Sequence, residues 1–486
     1  MTDSQPNIVF LFPDQLRADF VGSYGGECVP TPHMDRLADE GVRYADAMSA
    51  SPLCVPARTA LLTGMNAMRN GVMGNFHGLR MDYREVGLRT WPELLGDAGY
   101  VTAAIGKMHF YPWDARLGFQ RRVIAEDKRW LQIHDDYHHF LARQGLRRLH
   151  GREHAGYDEH QGAVTSPLPL ECSPDHFVAA EAVRFIDETA GSPFAMMVGF
   201  PGPHCPYDPV EESLARVDAD RIPDPIPPAE PDSPLRRQNV DGNKRDWNGV
   251  DYGDHTVAAQ RKLRHHYAAL IAQLDDVIGR IMDALERNGL LENTVIVLAS
   301  DHGDYLGDHG MVGKQGFHES TVRIPLVVRP PGGSGPDVRP EKVELRDVTA
   351  TILAYAGIPL PPQMDAVPLP GLGHATEERD VLFGSLGTGW MLYDGRYKVH
   401  KYRTGEVTLF DLSEDPREQR DLSEDSDHLD VLVRLDAKLT EVIMDNLDAA
   451  FADRAVRGDG PLYLDRRFGR EGWHRTFPEQ PAGSEA

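Results

Sequence analysis

Four short apolar runs, each stopping abruptly at polar residues, constrain the fold of this chain more than any other feature. They are Asn7 to Phe12 (N-I-V-F-L-F), Gly99 to Gly106 (G-Y-V-T-A-A-I-G), Phe194 to Phe200 (F-A-M-M-V-G-F) and Thr294 to Ser300 (T-V-I-V-L-A-S). A continuous apolar run, rather than an alternating one, suits a parallel strand buried on both faces. The residues just past such strands lie where open α/β sheets hold their ligands. Here those residues are Asp14 and Gln15, Lys107 and His109, His204, and Asp301 and His302.

Helical patterns fill the intervals. Thr31 and Pro32 open a helix closed by Gly41, Thr90 and Glu93 form a capping-box pattern, and Ser173-Pro174 begins a helix running to about Thr189. From Leu263 to Leu285 apolar residues recur at three- and four-residue steps, a stripe that must face the sheet. Strand alternating with helix predicts an α/β fold, a predominantly parallel sheet with helices on both faces. After the Pro- and Gly-rich stretch 359–373 the pattern changes to short strands at Val381 to Phe383, Trp390 to Tyr393, Tyr397 to Tyr402 and Val407 to Phe410. Asp394-Gly395 and Thr404-Gly405 turns make these an antiparallel meander, followed by a helix from about Leu429 to Leu447 and a polar tail. The expected division is a catalytic domain over 1–372 and a small antiparallel-sheet subdomain with its tail over 373–486. The segments 114–173 and 221–254 read as irregular excursions, the second because Pro, Asp and Gly crowd it.

Composition removes several classes of function. The chain has 486 residues, 41% of them hydrophobic, enough for a large core. No apolar run approaches the roughly 18 residues that span a bilayer, and M-T-D-S-Q-P-N carries no basic leader, so the expectation is a cytoplasmic protein with no membrane partner. Cys28, Cys54, Cys172 and Cys205 are scattered without C-x-x-C spacing, which indicates neither a disulfide framework nor structural zinc. A net charge of −24 argues against nucleic acid. It would also repel an anionic substrate, so a site for one must carry its own local positive charge.

Ser51 to Gly64, S-P-L-C-V-P-A-R-T-A-L-L-T-G, can supply that charge. Pro56 is suited to be the first residue of a helix, which would put Cys54 just before the N-terminus. The free N–H groups there and the guanidinium of Arg58 favour a tetrahedral oxyanion. Taken alone, Cys54 would be a small buried hydrophobe and Arg58 a surface charge.

C-x-P-x-R followed by A-R-T-A-L-L-T-G resembles the signature of the type I, formylglycine-dependent sulfatases of the alkaline phosphatase-like superfamily, with Val55 where the signature usually has a smaller residue. The resemblance extends to N-I-V-F-L-F-P-D-Q, G-Y-V-T-A-A-I-G-K-M-H, F-P-G-P-H-C-P, S-D-H-G-D-Y-L-G-D-H-G-M-V-G-K and the C-terminal G-R-Y-K-V-H and L-F-D-L-S-E-D-P-R-E. It implies the family's sandwich fold and sulfate ester hydrolysis, with Cys54 oxidised to formylglycine by a formylglycine-generating or sulfatase-maturing enzyme. It implies a divalent metal held by Asp14, Gln15, residue 54, Asp301 and His302, with Ca2+ foremost and Mn2+ or Zn2+ as alternatives because an imidazole suits them better. Arg58, Lys107, His109, His204 and Lys314 become the catalytic set, and Asn75 either helps hold the oxyanion or is a turn residue after Gly74. The implied mechanism is attack on sulfur by one hydroxyl of the aldehyde hydrate, with His204 protonating the departing alcohol, and then expulsion of sulfate by the second hydroxyl. The substrate would be a small sugar, aryl or alkyl sulfate, and a homo-oligomer is possible. Gln15 and His302 also match the related phosphonate monoester hydrolases, which keeps a phosphonate or phosphodiester hydrolase open, whereas the Lys107-x-His109 pair favours sulfate. A third possibility is a metal- and anion-binding protein whose Cys54 is never modified.

Overall fold

The computed structural model describes residues 5–229, 233–245 and 248–451. In chain order its strands are β1 (Asn7–Asp14), β2 (Val42–Tyr44), β3 (Ala47–Met48), β4 (Val101–Gly106), β5 (Arg121–Ile124), β6 (Phe194–Pro203), β7 (Thr294–Ala299), β8 (Leu326–Arg329), β9 (Asp337–Arg339), β10 (Val343–Glu344), β11 (Leu382–Leu386), β12 (Gly389–Tyr393), β13 (Tyr397–Tyr402) and β14 (Val407–Asp411). The main sheet has the order β5-β4-β6-β1-β7-β8-β2-β9. β1 lies at its centre, parallel to β6 on one side and β7 on the other, and β4 is parallel to β6. β8 runs against both of its neighbours, β7 and β2.

The four apolar runs are thus the four adjacent parallel strands β4, β6, β1 and β7. Their side chains alternate between two cores. Val9 and Leu11 pack with Ala179, Leu263, Ile271 and Ile278, from the helices Pro174–Thr189 and Val257–Arg287. Ile8, Phe10 and Phe12 pack on the other face with Ala57, Leu61, Val348 and Ile352, from the helices Cys54–Thr63 and Asp347–Tyr355. Burying such a side chain completely contributes about 1.5–3 kcal/mol, so both faces hold the strand. A strand apolar on both faces cannot set its register by alternation. The polar ends do it instead, since a one-residue slip of β1 would draw Asp14 into the core. The register shifts between Pro13 and Asp14, where Asp14 comes to lie beside Pro203.

The C-terminal strands form the expected meander, a separate antiparallel sheet β11-β12-β13-β14. Gly395 and Gly405 take φ of 104° and 96° in its turns, a region closed to most side chains. The helix Leu429–Phe451 follows. The polar tail expected beyond it lies outside the described residues. No helix among the described residues is long and apolar enough to cross a membrane.

Three local expectations are corrected. The helix at the cysteine starts at Cys54 itself, so Pro56 is its third residue, still within the first turn, where a missing N–H costs no helical bond. The stretch 221–254 contains a helix, Pro234–Asn243, with the Ser233 side chain accepting the Arg236 N–H and Leu235 and Val240 buried. A Ser-Pro start signal was present there but was outnumbered by turn formers. Likewise 114–173 contributes the edge strand β5 and the helix Asp136–Arg143, capped by Asp135.

Candidate active site

The carboxyl ends of β4, β6, β1 and β7 bring the predicted polar residues together. Asp14, Gln15, Asp301 and His302 are fully buried, and Cys54, Arg58, Lys107 and His204 are each 1% exposed. Ligand atoms of Asp14, Cys54, Asp301 and His302 all lie within 4.8 Å of one another. Close backbone approach makes this convergence possible. A Cβ on Gly106 would sit 2.1 Å from the Gly199 carbonyl oxygen, and one on Gly199 would sit 2.1 Å from that of Lys107. Gln15 and His109 adopt φ of 71° and 57°, a conformation that non-glycine residues rarely take and that concentrates at functional sites. Gln15 is held in it by its N–H donating to Asp301 and its carbonyl accepting from Tyr267, at 2.9 and 2.6 Å. The His109 N–H is held by Glu126.

Arg58 lies under the cluster, its guanidinium donating to Asp14 and Asp301 at 3.0 Å each and to the Lys107 carbonyl at 2.7 Å, and stacking on Phe12. Lys107 pairs with Asp14 at 2.9 Å and Asp127 at 3.1 Å. Burial would raise the pKa of Asp14, as does Cys54. Lys107, His204 and Arg58 outweigh both, and its carboxyl is held well below the usual range. Burial also opposes the charge on Lys107, but Asp127 and Asp14 raise its pKa, so it stays an ammonium. The local positive charge demanded by the acidic chain is therefore present.

His302 is aimed. Its Nδ1 faces the Gly303 carbonyl at 2.9 Å and its Nε2 faces Cys54 Sγ at 3.3 Å, so the nitrogen turned to the cluster is the one free to ligate. Two buried carboxylates and an oriented imidazole form an oxygen and nitrogen donor set that fits a divalent cation. Gln15 is engaged differently: its Nε2 donates to Asp304 and its Oε1 accepts from Lys314 Nζ. Lys314 Nζ also meets His204 Nε2 at 2.6 Å. His204 Nδ1 faces the Cys205 carbonyl at 2.7 Å, and burial together with Lys314 and Lys107 pushes its pKa down to about 3. His109, 3% exposed, sets its ring edge to face against Trp130 at 4.7 Å and lies beside Cys54, where it helps to lower the thiol pKa. Asn75 Oδ1 accepts the Val55 N–H at 3.1 Å, capping the first turn of the Cys54 helix.

The sequence reading missed the residues that hold this set. Asp127 binds Lys107 and Arg129, and Arg129 reaches His204 Nε2 at 3.4 Å. Both come from the excursion read as irregular, and no spacing signal marks them. Asp175, the second residue of the helix Pro174–Thr189, accepts the Gly202 N–H at 2.9 Å and so anchors the backbone leading to His204. Burial pushes the pKa of Asp175 up to about 6. Between the ordinary carboxyl value of 3.8 and 6 the folded state keeps a proton that the unfolded state has lost, so stability is lost as pH rises through this window. Asp175→Asn should remove that loss. Denaturant unfolding from pH 4 to 7 should show the wild type losing up to about 3 kcal/mol relative to the variant, and parallel pH profiles would refute the assignment.

The sulfatase family model matches residues 6–358. The arylsulfatase of Clostridium perfringens is 29% identical over 454 residues, covering 86% of this chain and 90% of its own length. The choline-sulfatase of Rhizobium meliloti is 27% identical over 487 residues, covering 94% and 91%. Among solved structures, the phosphonate monoester hydrolase SpPMH from Silicibacter pomeroyi aligns with a TM-score of 0.78 at 22% identity, over 94% of this chain and 98% of that one, a likeness of fold. A mostly parallel sheet with one buried acidic, cationic and cysteine-bearing edge, and a family match spanning that whole edge, together establish that the chain belongs to the sulfatase family.

Proposed function

We propose that this sulfatase hydrolyses the sulfate ester of a small alcohol, with residue 54 as formylglycine and the buried edge of the sheet as its active site. The observation that carries the reading is the convergence of Asp14, Cys54, Asp301 and His302 within 4.8 Å, with Arg58 and Lys107 against the same carboxylates. Asp14, Asp301 and His302, with the oxygen of modified residue 54, would hold the divalent ion; Ca2+ is the first candidate, and Gln15 is the fifth ligand proposed. When bound, the ion supplies Lewis acidity that favours deprotonation of the residue-54 hydroxyl.

The chain's own residues do the rest. Arg58 and Lys107 set positive charge where the sulfuryl oxygens must sit, and His109, beside residue 54, offers them its imidazole. Asn75 keeps the first turn in place through Val55. The neutral His204 ring keeps its own proton on Nδ1, towards the Cys205 carbonyl, so the proton that leaves with the alcohol oxygen comes from Lys314 Nζ to His204 Nε2, which hands it over. The maturing enzyme would act on Cys54 before the site closes over it, since the folded chain leaves the residue 1% exposed. The division into a catalytic domain, 1–372, and a C-terminal subdomain, 373–486, belongs to the same reading and is supported by the separate hydrogen bonding of the two larger sheets. So do a cytoplasmic location and a self-association that is still to be measured.

The test is a pair of assays on protein co-produced with a maturing enzyme. Aryl sulfate should be turned over with a higher kcat/KM than an aryl phosphonate monoester, and mass spectrometry should find formylglycine in the peptide containing residue 54. Preference for the phosphonate would move the chain to the phosphonate hydrolase reading. Unmodified cysteine in protein inactive on both would leave a binding protein.

A further inference from the structure

One carboxylate outside the proposed ligand and catalytic set lies where the parts of the site meet. Asp304 is fully buried, and its two oxygens receive four donors. Oδ1 accepts the N–H groups of Leu306 and Gly313 at 3.0 and 2.7 Å. Oδ2 accepts the Tyr207 hydroxyl at 2.6 Å and the Gln15 Nε2. Gly313 immediately precedes Lys314, Gln15 immediately follows Asp14, and Tyr207 lies three residues after His204. A single carboxylate therefore ties together segments from β1, β6 and the loop after β7.

Chemistry decides what that does to Gln15. Leu306 and Gly313 N–H and the Tyr207 hydroxyl all donate to Asp304, which acts as an acceptor throughout, so the amide turns its NH2 towards it and its oxygen to the opposite side, where Lys314 Nζ donates to it. The same carboxylate holds Gly313 and so fixes the backbone from which Lys314 extends. Asn239 grips this loop from the other side, its Oδ1 accepting from the Val312 N–H at 3.1 Å and its Nδ2 donating to the Val312 carbonyl at 2.9 Å. The loop thus keeps an anchor when Asp304 is changed.

Building on the roles proposed for Gln15 and Lys314, the geometry points to Asp304 as a positioning residue, which presents the oxygen rather than the nitrogen of the Gln15 amide to the metal site and to Lys314. Asp304→Asn keeps the shape but can put an NH2 opposite the Gln15 NH2. The Gln15 amide then has reason to turn over and face Lys314 and the cation with its own donors. Replacing Gln15 by Glu in that background restores an acceptor on both sides.

The experiment compares wild type, D304N, the double variant D304N/Q15E and Y207F, which removes a different donor from the same oxygen. Dissociation constants are measured by titration with Ca2+ and, separately, Mn2+, alongside kcat and KM on an aryl sulfate. D304N is expected to bind metal about 10- to 100-fold more weakly and to lose kcat by a similar factor, the range seen when groups that orient a ligand are removed. The double variant should recover at least about tenfold of the metal affinity, and Y207F should stay close to wild type. Wild-type metal affinity in D304N overturns the inference, and so does a loss that Q15E does not restore. A wild-type enzyme that binds neither ion and hydrolyses no sulfate ester would instead overturn the proposed function itself.

Discussion

Cys54→Ala is expected to abolish turnover of sulfate esters, by roughly a millionfold as when the nucleophile of a covalent catalyst is removed, while the protein stays folded. The chemical reason follows from the formylglycine proposed at residue 54, whose hydrate would supply the attacking oxygen, since an alanine methyl has no oxygen to offer sulfur. Wild-type Cys54 left as a thiol is equally unsuited to turnover. It could attack once, but it has no second hydroxyl with which to expel sulfate. The structural reason for retained folding is that the residue heads its helix at the floor of the site, and the helix is held mainly by Ala57, Leu61 and Leu62 in the core below. Alanine removes one sulfur atom, at a cost small beside those contacts. Circular dichroism and a melting curve should match the wild type while activity is absent. Residual activity above about one part in a thousand would remove residue 54 from the covalent role.

His204→Ala should lose activity in a way that depends on the alcohol. A positioned general acid contributes about a hundredfold to ten-thousandfold, nearly all of it needed when the leaving oxygen is basic and little when it departs as a stable aryl oxide. The variant should therefore be crippled on an alkyl or sugar sulfate and only mildly slowed on an activated aryl sulfate. The geometry gives this test a second arm. Lys314 Nζ lies 2.6 Å from His204 Nε2, so Lys314→Met should show the same leaving-group pattern if the proton is shared between the two. Equal losses of His204→Ala on both substrates would make His204 a sulfate-binding or structural group and would pass the proton to Lys314 alone.

Much of the site was legible because buried parallel strands leave a plain trace. An unpaired charge is costly between their apolar faces, so the first charged residues after each run mark the sheet edge; β4 ends with its run and β7 one residue before it, while β1 and β6 run on to Asp14 and Pro203. The meander was legible for a similar local reason, a D-G or T-G turn between short β-branched runs. The cysteine helix was found but misplaced by two residues, because proline is tolerated throughout a first turn and its position does not define the start. The helix Pro234–Asn243 was missed because its cap and proline stood among many other turn formers.

By itself, then, the sequence determined the kind of fold, the family, and which residues stand past the ends of the four buried strands: carboxylates and imidazoles, a lysine and, from the neighbouring helix, a cysteine and an arginine. Tertiary structure alone decided how those groups are paired. Arg58 meets Asp14 and Asp301 across 44 and 243 residues of chain, Lys314 meets His204 across 110, and Asp304 meets Gln15 across 289. Such partners share no local spacing, since hydrogen bonds and ion pairs act over a few ångströms and are blind to sequence separation. Asp127, Arg129 and Asp304 gained their roles only when the sheet brought four strand ends to one edge and excluded water from it.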